Sequence, residues 1–508
     1  MKKKQTYKNI AMNIVAFGVQ FVINLYISPI LVSKVGTSAY GFIGLANDFV
    51  SYASILATVF NSVASRFIAN AFYKEDYESA NKYFNSLIVA NLVLASVLGI
   101  VGTILVPNLN KMLSIPTSIV YDVKLTFALI FVSYIISLTT LVFTTATFVT
   151  NRTDIQGVRN IVNCIVRFAF IIIFLNFVSI RIYWIALATL IANVVVTIMN
   201  INLTIKLTPE IKINLKYAKR SYAFELAKSG CWMAFTSISV ILLRGLDLTV
   251  ANILLGDYEM GLLSIARTMP NNMTSIVSTI APIFTPVFIA FYAKKNIKGL
   301  FDSVNKSITT MAMILFVPIS GFIVFSHDFY SLWQTSLSDD ELMIVTILST
   351  ITIVQSYFDS TTSTMAQLSV VTNKLKIPVF VSFGCGIVSV IVEIFLITTT
   401  ELGIYSIVLS TTIVMLIRYI MFNSIYAAYC LGQPRTCFFP IAFKSWLSIP
   451  ILIATMSAIK IVMPIHSWLD FCVDIFICGF LGYVEMLLMY NRKEVYRCIN
   501  KKMSKKNS

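Results

Sequence analysis

The stretch Ile10–Val32, IAMNIVAFGVQFVINLYISPILV, contains no charged residue and decides the class of fold. A helix needs ~20 predominantly apolar residues to cross the hydrocarbon core of a bilayer, whereas the apolar part of a secretory signal peptide has only ~7–15. The stretch is too long for a signal peptide, and the lysines Lys2–Lys4 precede it. We therefore interpret it as a retained first membrane-spanning helix.

The composition of the whole chain agrees with this interpretation. Of 508 residues, 57% are hydrophobic and 12% charged, whereas soluble domains have ~45–50% apolar and ~25% charged residues. This balance excludes an ordinary soluble enzyme and a disordered chain. The eight cysteines form no CxxC pair and no Cys/His cluster, so neither a disulfide framework nor a zinc site is indicated. The predicted fold class is an all-α polytopic membrane protein.

Hydropathy and turn residues predict about fourteen membrane-spanning helices, with room for no sizeable soluble domain. The weakest prediction is the tenth span, because it contains many polar side chains. The predicted spans are 10–33, 41–64, 83–106, 123–149, 160–180, 182–205, 224–255, 259–292, 307–326, 342–369, 377–399, 402–426, 441–463 and 471–490.

The net charge of +16 follows from membrane topology and requires no nucleic acid. With the N-terminus inside, and with residues near a span end counted with the adjoining loop, 30 of the 39 Lys and Arg residues fall on the inner side, five on the outer side and four deeper within spans. Positive charge on the cytoplasmic side is the usual determinant of orientation. Both termini are therefore expected in the cytoplasm, which requires an even number of spans.

Short segments recur along the chain at nearly one offset. Gly36–Gly41 (GTSAYG) corresponds to Gly256–Gly261 (GDYEMG), 220 residues later. VTNR at 149–152 corresponds to VTNK at 371–374, and Ile182-Tyr183 to Ile404-Tyr405, both 222 residues later. The matches predict two six-helix repeats in the same orientation. Parallel repeats of this kind are typical of transporters. We therefore predict an N-lobe at 1–215, a C-lobe at 216–430, and two additional helices with a basic cytoplasmic tail at 431–508.

Charged residues inside spans are costly and indicate functional or pairing sites. Arg244 and Asp247 are three residues apart in span seven, which puts them on one helix face, and Arg267 lies in span eight. One interpretation is a substrate site that is net positive, and the alternative is a structural salt bridge between the two helices. Arginine suits a phosphate-binding role because its guanidinium stays charged and can bind bidentately.

Further polar residues extend the candidate site. Arg66, Arg167 and Arg418 either line a basic cavity or reach the cytoplasmic interface, and Asn24 lies at the depth of Arg244 in the repeat. Glu393 and Asp359 are candidates for coupling transport to a proton or sodium gradient, or they pair with a cation on another helix. No catalytic residues, metal ligands or cofactor motifs are indicated.

Several of these features together resemble a known superfamily. They are the basic N-terminus, Lys34–Phe42 (KVGTSAYGF), Arg66, the stretch Asp76–Asn85 (DYESANKYFN), and Gly256–Gly261 followed by Arg267. The chain is similar to the multidrug/oligosaccharidyl-lipid/polysaccharide (MOP) exporters, and most like the polysaccharide repeat-unit (Wzx-type, O-antigen or capsule) flippases.

This resemblance implies two six-helix lobes around a central cavity, followed by two further helices. It implies flipping of an undecaprenyl-diphosphate-linked oligosaccharide from the inner to the outer leaflet of a bacterial cytoplasmic membrane by alternating access. The implied partners are the lipid-linked substrate, membrane lipids, a polysaccharide polymerase and a chain-length regulator, and no nucleic acid.

Three other functions stay open on the sequence alone. A cation-coupled multidrug antiporter has the same fold but favours carboxylates and aromatics in its cavity. A lipid II flippase tends to carry Arg in its first helix, and here 10–32 carry no charge. A membrane-bound polymerase or ligase acting on the same lipid-linked sugars would need a long outer loop. The longest predicted outer loops, 107–122 and 326–342, are short and contain no compelling catalytic pair.

Overall fold

The computed structural model describes residues 2–504, and the side chains among them except at 2–4, 6, 7, 10, 14 and 491–504. Within this described part every regular element is a helix, and fourteen candidate spans are long and apolar enough to cross a membrane. The prediction of an all-α polytopic membrane protein with about fourteen spans is therefore confirmed. The polar tenth span is present as the helix Asp339–Val371.

Contacts divide the chain into two compact units, of which the first is Met1–Ser264. Its core lies where phenylalanines and small aliphatic side chains from several helices meet, for example at Phe84 and Ile68, which are both fully buried. Its helices are α1 Lys2–Val35, α2 Thr37–Tyr73, α3 Tyr77–Met112, α4 Val120–Thr140, α5 Thr145–Val149, α6 Thr153–Phe177, α7 Tyr183–Leu207, α8 Arg220–Arg244 and α9 Asp247–Leu254.

The second unit is Ile265–Ser508. The helix α10, Asp257–Ala266, ends just inside it. An apolar core forms around Phe288, Met365 and Phe438, all fully buried. Its helices are α11 Thr268–Ile280, α12 Thr285–Ala293, α13 Ile297–Trp333, α14 Asp339–Val371, α15 Lys376–Thr399, α16 Tyr405–Ile417, α17 Ser424–Leu431, α18 Phe439–Trp446, α19 Ser448–Val462 and α20 Trp468–Ser504.

The backbone conformation repeats along the chain with the offset that the sequence shows. Gly36 and Gly256 both have positive φ, at 89° and 128°. Glu75 and Lys295, 220 residues apart, have φ of 62° and 54°, and Asn151 and Asn373 both have φ of 55°. A non-glycine residue in this region is uncommon, so its recurrence at matching positions indicates that the same turns end the matching helices.

The two copies differ in the continuity of their first two helices. In the first copy α1 and α2 each run without interruption. The segments that match them are divided: α8 and α9 are separated at Gly245 and Leu246, and α10 and α11 at Arg267. The sequence predicts single spans at 224–255 and 259–292. Those predictions are wrong in detail, because each span contains a break.

Candidate functional site

A helix break lies between Arg244 and Asp247. Arg244 is the last residue of α8 and Asp247 is the first of α9. The two residues therefore do not share one continuous helix face, as their spacing predicts for an unbroken helix. Arg244 is half-buried and Asp247 is 9% exposed. Non-helical backbone at membrane depth is tolerated where protein or a water-filled cavity surrounds it.

A tyrosine of α2 stabilises this break. The hydroxyl of Tyr52 donates a hydrogen bond to the carbonyl oxygen of Gly245, and it lies 3.0 Å from the hydroxyl of Thr249 in α9. In an uninterrupted helix, the Gly245 carbonyl would accept from the amide four residues later. The hydroxyl of Tyr52 thus provides a partner for a carbonyl that the break exposes, and it fixes the geometry next to Arg244.

We expect the Tyr52→Phe substitution to weaken both stability and transport. The change removes only one hydroxyl, and leaving this part-buried carbonyl without its partner costs about 1 kcal/mol, the lower end of the penalty for a buried group. The measurement is the thermal unfolding midpoint of the purified protein, together with the transport rate. Tyr121→Phe is the matched control, because Tyr121 is 73% exposed. Equal midpoints for the two variants would contradict the role assigned to Tyr52.

The second unit has its own break, at Arg267. This residue lies between α10 and α11, is half-buried, and is followed directly by the first residue of α11, Thr268. The side chain of Arg267 therefore leaves the backbone where the regular helical hydrogen bonding is interrupted. Discontinuous membrane helices are a recurrent way to build substrate sites in transporters.

The structure brings two predicted site residues together in the first unit. Nη2 of Arg167, in α6, donates to Oδ1 of Asn24, in α1, over 2.5 Å. Both residues are half-buried. The partner of this membrane-embedded guanidinium is a neutral amide, so the pair keeps a full positive charge.

A further buried arginine, Arg159, lies two helical turns before Arg167 on the same face of α6. It is 1% exposed, and its guanidinium donates to Oδ1 of Asn200 and, over 3.3 Å, to Oγ1 of Thr147. Among the described residues, neither Arg159 nor Arg167 forms an ion pair with a carboxylate. Arg159 falls in a predicted inner loop, one residue before the predicted span 160–180, and is therefore absent from the predicted site residues. Its spacing of eight from Arg167 was the signal that could have found it.

Between these arginines lies Asn163, one helical turn from each. Its amide donates to Oδ1 of Asn193 over 3.0 Å, and the amide of Asn193 donates to Oγ of Ser133 over 2.7 Å. The residues Arg159, Asn163 and Arg167 thus form a polar stripe along α6, which we call the α6 stripe. It carries two positive charges over ~12 Å of helix.

The remaining predicted site residues occupy varied surroundings. Arg66, in α2, is exposed, and its guanidinium lies 5.9 Å from the ring centre of Phe67. Arg418 is half-buried and begins a π-helical turn, Arg418–Asn423, between α16 and α17. Single π-helical turns within membrane helices often occur at functional sites.

The two predicted ion-coupling residues lie in different helices of the second unit. Glu393, in α15, is 1% exposed. Asp359, in α14, is half-buried. Among the described residues, no group of three or more His, Cys, Asp or Glu side chains could hold a metal ion.

Several solved structures of membrane transporters share this fold. An inward-facing multidrug resistance MATE transporter of the MOP superfamily is 15% identical, with a TM-score of 0.66 over 83% of this chain and 99% of that one. The lipid II flippase MurJ, in an inward closed conformation, is 14% identical, with a TM-score of 0.68 over 96% and 100%. A MOP superfamily transporter from Pyrococcus furiosus, described as having a binding pocket of reverse polarity, is 16% identical, with a TM-score of 0.63 over 85% and 97%.

The chain, with fourteen candidate membrane-spanning helices among its described residues, thus has the fold of the MOP-superfamily transporters. The family described as "Polysaccharide biosynthesis protein" matches residues 6–292, and the chain belongs to this family. A curated relative, the uncharacterized membrane protein EpsK of Bacillus subtilis, is 24% identical over 464 residues, which cover 91% of this chain and 90% of EpsK.

Proposed function

We propose that the protein flips an undecaprenyl-diphosphate-linked oligosaccharide, the repeat unit of a polysaccharide, from the inner to the outer leaflet of a bacterial cytoplasmic membrane. Both termini lie in the cytoplasm, and transport proceeds by alternating access. Membership of a polysaccharide biosynthesis family supports the class of cargo. No covalent chemistry is required of the protein.

The observation that carries the proposal is the α6 stripe. It places two arginines in the membrane-spanning part of the first unit with neutral partners, among the residues described. At an effective dielectric constant of 20, an anion 4 Å from one guanidinium gains ~4 kcal/mol, and a cation loses the same amount. A diphosphate therefore suits this unit, whereas a cationic drug is disfavoured.

The helix breaks support the same cargo. Arg244 and Arg267 each lie where a spanning segment is interrupted, and arginine is the side chain best suited to grip phosphate oxygens bidentately. We infer that each of them binds an anionic group of the cargo, the diphosphate or an acidic sugar. The lipid tail stays in the bilayer, while Asn24 and neighbouring amides offer hydrogen bonds to sugar hydroxyls. A proton or sodium gradient would act through Glu393 and Asp359. Binding of the ion there would shift the equilibrium between the two conformations of alternating access, which face opposite sides of the membrane.

The proposal is tested by reconstitution. Vesicles containing the purified protein and an undecaprenyl-diphosphate oligosaccharide with a fluorescent sugar are exposed to a membrane-impermeant quencher. We expect sugars from the inner leaflet to become accessible faster than in protein-free vesicles, and Arg167→Gln to slow this step. Arg435→Gln is the control, because Arg435 is exposed in a loop.

Two other outcomes would indicate a different function for the protein. Faster movement of a lipid-linked muropeptide than of the oligosaccharide would indicate a lipid II flippase. Accumulation of a cationic dye against a proton or sodium gradient, with no lipid movement, would indicate a multidrug antiporter and would contradict the proposal.

A further inference from the structure

The segment Thr208–Arg220, which joins α7 to α8 and is here called the linker, is held against α3 by a regular set of hydrogen bonds. The amide of Asn81 donates to the carbonyl of Glu210 over 2.9 Å, and its oxygen accepts the N–H of Lys212 over 2.6 Å. Four residues further along α3, Asn85 repeats the arrangement: it donates to the carbonyl of Lys212 over 2.8 Å and accepts the N–H of Asn214 over 2.9 Å.

We call these hydrogen bonds between α3 and the linker the clamp. The clamp ends where the chain enters α8. The hydroxyl of Ser86 donates to the carbonyl of Lys219 over 3.0 Å and accepts the N–H of the same residue over 2.8 Å. The clamping residues Asn81, Asn85 and Ser86 are 6%, 0% and 2% exposed. The linker therefore has a fixed position along α3, and much of its polar backbone already has a partner. Satisfied backbone is what allows a chain to lie at a membrane boundary.

The depth of the linker follows from the sequence of α3. The uncharged part of α3 is Tyr83–Asn110, and after the polar Asn85 and Ser86 it continues with the mostly apolar Leu87–Val106, whose length as a helix is ~30 Å, the thickness of the hydrocarbon core. Asn85 and Asn81 precede this run by two and six residues, which corresponds to ~3–9 Å of helix. The clamped backbone thus lies in the headgroup layer. Six spans precede it, so it lies on the same side as the N-terminus, the expected cytoplasmic side.

The linker exposes apolar and basic side chains together. Ile211 is buried, whereas the next two apolar side chains, Ile213 and Leu215, are 50% and 55% exposed. Lys212 and Lys216 are exposed as well. The linker thus presents an exposed apolar edge, Ile213 and Leu215, with cations beside it.

We propose that the linker is an anionic-lipid binding site of the inner leaflet. The segment contains four basic residues and one acidic residue, Glu210. The basic residues are Lys212, Lys216, Lys219 and Arg220. Ile213 and Leu215 enter the acyl boundary while the cations contact phosphate groups of phospholipids such as phosphatidylglycerol. Basic segments near a membrane bind anionic lipids in this way. The consequence is that the chain joining the two repeats is tied to the inner leaflet at a defined depth.

The test counts bound lipids by native mass spectrometry, after the protein is released from vesicles of phosphatidylcholine mixed with phosphatidylglycerol. The test variant is Lys212→Gln, Lys216→Gln, Lys219→Gln. The matched control is Lys294→Gln, Lys295→Gln, Lys298→Gln, which removes three exposed lysines at the junction of α12 and α13, on the same expected side. We expect the wild type and the control to retain phosphatidylglycerol preferentially. The test variant should lose about a hundredfold in affinity for it, at ~1 kcal/mol for each charge.

A second variant separates a bound lipid from a nonspecific charge effect. Ile213→Ser, Leu215→Ser keeps every cation and should lower retention of phosphatidylglycerol as well, because the apolar edge no longer enters the acyl region. Equal phosphatidylglycerol retention by the two lysine variants would overturn the proposal. Displacement of phosphatidylglycerol from the wild type by an equal amount of undecaprenyl diphosphate would also overturn it, because the linker would then collect substrate instead. None of these readouts depends on transport.

Discussion

Replacement of Arg244 or Arg267 by alanine should reduce export by about 30-fold or more while the protein remains folded and inserted. Each arginine lies at a break in a membrane-spanning segment and is assigned to the diphosphate or an acidic sugar. Truncating one member of a buried, hydrogen-bonded charge pair costs about 2–5 kcal/mol, and each 1.4 kcal/mol is about tenfold. Lysine should restore only part of the rate, since it keeps the charge but lacks the bidentate geometry of the guanidinium.

Abundance in the membrane separates this role from a structural one. If Arg244, Asp247 and Arg267 serve only as structural ion-pairing groups, single substitutions at all three should lower protein levels together, because an uncompensated buried charge is strongly destabilising. In the binding role, Asp247→Asn should lower export only modestly. Arg435→Ala is the control for loss of one exposed arginine. Full export by the Arg244→Ala, Arg267→Ala double variant at normal abundance would refute the binding role.

The class of fold and the order of the helices could be predicted because both depend on local properties. An uncharged run such as Leu87–Val106 has one practical solution in a bilayer, a helix. Turn signals are local too: Asn151 and Asn373 adopt positive φ within their own loops. Even the polar tenth span was recognised, because its apolar residues are numerous enough and no strong helix breaker interrupts it.

The break between Arg244 and Asp247 could not be predicted because its cause is distant in sequence, whereas the break at Arg267 has a local signal, since Pro270 lacks the N–H that would bond to the carbonyl of Ala266. Nothing between Arg244 and Asp247 excludes a continuous helix, and Gly245 has φ and ψ of −93° and −13°. The break is stabilised by the hydroxyl of Tyr52, 193 residues away. Arg159 was assigned to a loop for a related reason. Hydropathy places the start of a span only approximately, whereas its neutral partners Asn200 and Thr147 belong to other helices.

Two helix backbones of the first unit approach each other closely at Gly230. This residue lies in the middle of α8, and a Cβ atom added to it would lie 1.8 Å from the carbonyl oxygen of Val59 in α2. Ala234, one turn further along α8, is 6% exposed. Two small residues four apart are a recurrent means of bringing membrane helices together. The obstacle at Gly230 is backbone, which cannot rotate away as a side chain can.

Gly230→Ala should therefore lower the thermal unfolding midpoint strongly and reduce transport with it. A single methyl group forces α8 away from α2, and overpacking of this kind costs about 1–3 kcal/mol or more, against a gain of ~1 kcal/mol from the better helix propensity of alanine. Gly384→Ala is the matched control, because Gly384 lies inside α15 with nothing within 4 Å of its added Cβ. It should be neutral or slightly stabilising.

Because α8 ends at Arg244, separation from α2 would also displace that guanidinium and the carbonyl that Tyr52 binds. Gly230→Ala should thus lower stability and export together, whereas Arg244→Ala should lower export alone. A Gly230→Ala protein with wild-type stability would show that α8 and α2 do not pack this closely.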